Sequence, residues 1–99
     1  MIRHIVLFKM KPLESTEARA AKLTEIKNGL DALKNKVDYI RNEQVGINWN
    51  PDEKWDLSLV ADFDNKEDLD AYAVQPDHMA VKKVIGEVVE SRACVDSEI

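Results

Sequence analysis

Leu23, Ile26, Leu30, Leu33 and Val37 recur at spacings of 3, 4, 3 and 4. On a helix of 3.6 residues per turn those positions share one face, and Lys22, Glu25, Lys27, Lys34 and Lys36 fall elsewhere. A helix with one apolar stripe has to lay it on something. Two heptads are too few for a coiled coil, so the partner expected is a sheet. Ser15 supplies an N-cap and Glu17 an acid in the first turn, where the helix dipole favours it. Gly29 interrupts the helix at a cost of up to about 1 kcal/mol relative to alanine, and its neighbours in sequence offer no reason for it.

The sheet is written on either side of that helix. Residues 2–10 are rich in β-branched and aromatic side chains, and Pro12 closes the segment. Ile5–Phe8 does not alternate with polar residues, as expected of a central strand covered on both faces. Residues 39–48 are more polar and read as an edge strand; Asn50-Pro51-Asp52 then marks a turn. From Asp56 to Phe63, Leu57, Leu59, Ala61 and Phe63 share one face. Asp56, Ser58 and Asp62 share the other, broken only by Val60.

Asp64 or Asn65 caps a second helix on which Leu69, Tyr72 and Ala73 share a side. Gln75-Pro76 breaks it, and Pro76 suits the first position of a further helical segment reaching about Val89. His78, Val81, Ile85 and Val88 follow at spacings of 3, 4 and 3, so His78 lies on that segment's apolar side. Residues 91–97 form a last strand, with Ala93 and Val95 opposite Arg92, Cys94 and Asp96.

Strand, helix, strand, strand, helix, strand is the order of an α+β split βαβ unit: a four-stranded antiparallel sheet with helices on one face. Ninety-nine residues support one core, so residues 1–99 are a single domain. If His4, Val6 and Phe8 face the helices, Ile5, Leu7 and Val60 face away. An open sheet face bearing such residues is expected to pair with a second copy as a homodimer.

Charge and motif content exclude several functions. Nineteen acids against fourteen bases give a net charge of −5, which speaks against nucleic acid and anionic membrane as partners. The apolar run Ile5–Phe8 falls far short of the roughly 20 residues of a membrane span. The opening Met1-Ile2-Arg3-His4 has no signal-peptide order, and the single cysteine, Cys94, forms no internal disulfide, so the cytoplasm is the expected compartment. His4, His78 and Cys94 match no zinc spacing, and Gly29, Gly46 and Gly86 make no phosphate loop; neither metal nor cofactor is expected. Cys94 is expected to be buried and inert. Trp49 and Trp55 flank the turn and are expected to pack the hairpin, against the partner chain, rather than rim a pocket mouth.

The opening Met1–Lys9 resembles that of the stress-responsive dimeric α+β barrel (Dabb) family. The block Asp56–Phe63 followed by Leu69-Asp70-Ala71-Tyr72 does so too, as do Gln75-Pro76-Asp77-His78 and Ser91–Asp96. These pieces span the chain in the family's order and spacing. The resemblance implies a ferredoxin-like protomer whose sheet pairs with a second sheet to form a barrel. Most members have no assigned activity, while a plant branch closes polyketide rings by aldol condensation without a cofactor. In that branch the last histidine of a His-Pro-x-His motif is the general base, and a tyrosine six residues earlier assists. Those positions are His78 and Tyr72 here, and the family's histidine on the first strand is His4. The first histidine of the motif is Gln75 in this chain, and a further pocket histidine of the cyclases falls at Leu57.

An imidazole can take a proton from an acidic carbon near neutral pH, and a tyrosine hydroxyl can stabilise the resulting enolate. His78 and Tyr72 are therefore the candidate catalytic pair, and His4, Tyr72 and His78 the candidate ligand-binding residues. The bland alternatives are a core histidine, a packing tyrosine, and a His4 that anchors its strand across the sheet. The leading expectation is binding of a small, partly apolar molecule in a helix–sheet pocket. Its rivals are a cofactor-free cyclase or lyase using His78 as base, and a structural, stress-associated dimer without ligand.

Overall fold

In the computed structural model, which describes residues 1–99, the chain runs β1 (Ile2–Met10), α1 (Thr16–Lys36), β2 (Asn42–Ile47), β3 (Leu57–Phe63), α2 (Lys66–Ala73), α3 (Pro76–Val88) and β4 (Val89–Glu98). The strands form one antiparallel sheet in the order β2-β3-β1-β4, so β1 and β3 are central and β2 and β4 are edges. This is the expected βαββαβ ferredoxin-like topology.

Helix α1 begins where Ser15 accepts a 3.0 Å hydrogen bond from the Ala18 amide. Its apolar stripe is buried as the spacing required: Leu23, Ile26, Leu30 and Leu33, then Val37 just beyond the helix. Opposite them lie Val6, Phe8 and Met10 of β1 and Leu57, Leu59, Ala61 and Phe63 of β3. Each fully buried large apolar side chain contributes about 1.5–3 kcal/mol, so this interface carries most of the fold's stability. Nothing around Gly29 demands glycine: a Cβ there would meet the Val81 methyls of α3 at 3.4 and 3.5 Å, an ordinary contact.

Two local differences from the sequence reading have physical causes. Strand β2 starts at Asn42 rather than at residue 39, because Ile40 is buried and Tyr39 packs on Phe63, with ring centroids 6.4 Å apart. Strand β4 runs beyond 91–97 at both ends, since Val89 pairs with Met10 directly after α3, past a register shift at Lys9/Met10. Asp56, just before β3, and Asp62 within it are both buried. Asp56 is turned inward, accepting from the Met10 amide at 2.7 Å and from the Arg19 side chain. Asp62 is covered by Arg3, whose guanidinium donates to both carboxylate oxygens at 2.9 and 3.0 Å. Both carboxylates are buried because each is paired, the condition under which a charge leaves water at tolerable cost. The Arg3 hydrogen bonds hold the Asp62 carboxyl below the usual carboxylate range.

On the sheet face away from the helices, Ile5, Leu7 and Val60 are only half-buried and Val95 is exposed. Trp49 is 88% exposed, so within one chain it packs on nothing; Trp55 is half-buried with the Lys54 ammonium over its ring.

Candidate functional site

Sheet register lays one polar row across the otherwise apolar helix face. Glu43 of β2 pairs with Ala61, Ala61 with His4 of β1, and His4 with Asp96 of β4. The neighbouring row is Val45, Leu59, Val6 and Cys94. Ala61, the smallest side chain of the polar row, is fully buried in the core.

The break between α2 and α3 brings Tyr72 and His78 together. Helix α2 is capped by Asn65, ends at Ala73, and presents Tyr72 one residue before that end. Pro76 starts α3. Gln75, where the cyclase motif has its first histidine, is the N-cap of α3: its side-chain oxygen accepts from the His78 amide at 2.8 Å, and its amide donates to Asp77 at 3.1 Å. Gln75 thus fixes the backbone that carries His78. The Tyr72 and His78 rings lie 4.0 Å apart at 31°, and Tyr72 packs on Phe63 at 5.1 Å on another side.

A cavity of about 620 Å³ lies between these helices and the sheet, and His4, Tyr72 and His78 all line it. Its apolar wall includes Val6, Leu59 and Ile85, and its charged lining sets Lys82 and Arg92 against Asp70 and Asp96. Leu57 is in the core rather than in this wall; the β3 side chain that reaches the cavity is Leu59.

Three buried side-chain atoms in the protein have no hydrogen-bond partner: Tyr72 Oη, His78 Nδ1 and Glu43 Oε2. Burial, with the Glu43 carboxyl adding to it, raises the Tyr72 hydroxyl above its ordinary range, so it is a neutral donor. Burial and then Lys82 push His78 down to about 4. The carbonyls of Ala73 and Tyr72 at the end of α2 oppose that shift, yet neither makes a well-formed hydrogen bond to Nδ1. His78 is consequently a neutral imidazole at pH 7. Burial, reinforced by Asp31, raises Glu43 to about 7.

At the β4 side of the cavity, His4 Nδ1 lies 2.5 Å from Asp96 Oδ1. The Cys94 sulfur is 3.6 Å from the same nitrogen. Cys94 is exposed, contrary to the sequence reading, because it sits on an edge strand. Glu43, Asp96, Lys82 and Arg92 were not singled out as site residues from sequence. For Glu43 a signal existed: strand periodicity places it on the same face as Val45.

A ferredoxin-like α+β protomer with a partly polar cavity between helices and sheet is the class these observations define. The sequence matches the family described as Stress responsive A/B Barrel Domain over residues 2–99. The chain belongs to this family, abbreviated Dabb. Among solved structures, a dimeric protein of unknown function with a ferredoxin-like fold from Bacteroides fragilis NCTC 9343 is 41% identical, with TM-score 0.93, covering 99% of this chain and 95% of that one. A Dabb family protein from Mesorhizobium loti MAFF303099 is 21% identical with TM-score 0.74, covering 99% and 95%. Hydroxynitrile lyase from Passiflora edulis is 16% identical with TM-score 0.81, covering 99% and 92%; it shares the fold. No curated protein sequence matches significantly.

Proposed function

We propose that this protein binds a small, partly apolar molecule in the cavity between its helices and sheet. The observation that carries the reading is that Tyr72 Oη and His78 Nδ1, both buried and unpartnered, belong to residues lining one cavity of about 620 Å³. Each unsatisfied buried polar group costs about 1–3 kcal/mol, a cost that a purely structural dimer has no reason to retain. A ligand with an apolar body and a hydroxyl group, which both accepts and donates, removes it, its body lying against Val6, Leu59 and Ile85. Tyr72 then donates and the neutral His78 accepts.

The working unit we assign is a homodimer joined through Ile5, Leu7, Val60 and Val95 on the open sheet face. The dimeric Bacteroides fragilis protein, at 41% identity, supports a homodimer. The cytoplasm is the compartment we assign, since a reducing medium suits the exposed Cys94 thiol.

A second reading, cofactor-free aldol-type ring closure, has one observation in its favour. His78 is unprotonated at neutral pH and beside a tyrosine that could hold an enolate oxygen. Its depressed basicity counts against it, because a group whose conjugate acid titrates near 4 is a poor proton acceptor for carbon acids. Binding is the better-supported function.

The test is thermal unfolding against increasing 4-hexylphenol, a probe with an apolar tail and one hydroxyl. The expected result is a saturating rise in Tm that is lost when Ile85→Trp fills the cavity. No rise, or an equal rise in the filled variant, contradicts the proposal.

A further inference from the structure

Antiparallel pairing of β1 with β4 brings three donors of different chemistry to one point. Cys94 and Asp96 are two residues apart on β4 and so project from the same face. His4 is the direct cross-strand partner of Asp96. The Cys94 sulfur lies 3.6 Å from His4 Nδ1 and 3.8 Å from Asp96 Oδ1, and the nitrogen and oxygen are 2.5 Å apart.

A tetrahedral zinc ion with bonds of about 2.0–2.3 Å holds its ligand atoms about 3.3–3.7 Å apart. Both sulfur separations are already close to that spacing. The nitrogen and oxygen must open by about 1 Å to match it. Rotation of the Asp96 side chain, 46% exposed, supplies that movement without disturbing the strand. Metal-free, the pair shares a hydrogen bond; the ion takes the place of the shared proton.

We propose that His4, Cys94 and Asp96 form a three-ligand site for a divalent ion of the zinc class, with its remaining position open. An imidazole, a thiolate and a carboxylate suit zinc or cobalt rather than magnesium or calcium, which prefer oxygen throughout. His4 and Asp96 both line the cavity, which puts the proposed ion at its β4 edge. An ion held there would take a ligand oxygen as Lewis acid, adding coordination to the hydrogen bonds of Tyr72 and His78. Binding displaces the thiol proton, so affinity declines as the solution is acidified. The site stands on strand geometry alone and survives if no apolar ligand binds. Sequence spacing hid it, since only sheet pairing brings His4 to the other two.

The experiment is titration of the chelator-treated, full-length protein with cobalt(II), followed by absorption spectroscopy. The expected result is one cobalt per chain, with the near-ultraviolet band of a thiolate–cobalt bond and the visible bands of a four-coordinate ion. Zinc addition abolishes both. Cys94→Ser, an exposed edge-strand change whose fold is checked by circular dichroism, loses the near-ultraviolet band. Asp96→Asn and His4→Gln each weaken binding about tenfold or more. The proposal is overturned if excess cobalt gives no thiolate band, or if that band appears with unchanged affinity in His4→Gln and Asp96→Asn, which would reduce the event to a lone thiol.

Discussion

Gln75 holds the His78 amide through a 2.8 Å hydrogen bond, so the residue that replaces the first histidine of the cyclase motif also sets where the remaining one sits. That bond links the cap of α3 to the cavity, and the Tyr72 ring 4.0 Å from His78 completes the arrangement. The helix break at Gln75-Pro76 is thus the element that brings Tyr72 and His78 together at the cavity.

Tyr72→Phe separates stability from binding. It deletes a buried hydroxyl that has no partner, so the ligand-free protein should be as stable as the parent or more so, by up to about 1–2 kcal/mol in urea unfolding. Affinity for 4-hexylphenol should fall about tenfold, equivalent to about 1.4 kcal/mol. A variant less stable by more than 1–2 kcal/mol, binding as before, would show that the hydroxyl is part of the core's own bonding.

Two buried groups should oppose each other in the pH dependence of stability. The folded pKa of His78 is lowered to about 4 from 6.5, so its contribution is present above 6.5 and lost as pH falls through 4. Glu43 is raised to about 7 from 4.5, so its contribution is present below 4.5 and lost as pH rises through 7. Each is of order 1–2 kcal/mol, both groups being partly open to solvent. Glu43→Gln should leave a protein that loses stability from pH 6.5 to 4, while His78→Ala should gain stability from pH 7 to 4.5, relative to the parent. Urea unfolding across that range reads both slopes; parallel curves for parent and variants would contradict the assignment.

Gly29→Ala should stabilise the protein. The new Cβ would lie 3.4 Å from Val81, an ordinary contact, and the helix gains up to about 1 kcal/mol in propensity. A drop in Tm would mean that α1 and α3 pack more closely than this distance.

Val60→Asp should convert the dimer to monomer in sedimentation velocity. It places a charge in the middle of the open face, beside Ile5 of the paired strand. The fold should survive, because Val60 points away from the core that α1 covers. A dimer unchanged by this substitution would place the interface elsewhere.

Most of the fold was legible in the sequence because its signals are local. The stripe from Leu23 to Val37, the caps Ser15 and Asn65, and the Gln75-Pro76 break need no tertiary knowledge, and His78 and Tyr72 followed from helical spacing and family resemblance. What escaped depends on pairing between distant strands. The burial of Asp56 and Asp62 rests on Arg19 and Arg3, which only the fold brings to them, and Cys94 read as buried until β4 is known to be an edge. Asp96 becomes a site residue only when β1 lies beside β4. Ile40 misled in the other direction: its apolar character belongs to the core beyond α1, not to the edge strand that follows.

The most direct measurement is native mass spectrometry of the freshly purified protein, beside the same sample denatured and a sample given 4-hexylphenol. A binding cavity at Tyr72 and His78 gives a two-chain mass that carries a small molecule released on denaturation, or that takes up the probe at one per chain, with Ile85→Trp taking up none. A bare two-chain mass that acquires nothing, or probe uptake undiminished in Ile85→Trp, contradicts a binding cavity at Tyr72 and His78.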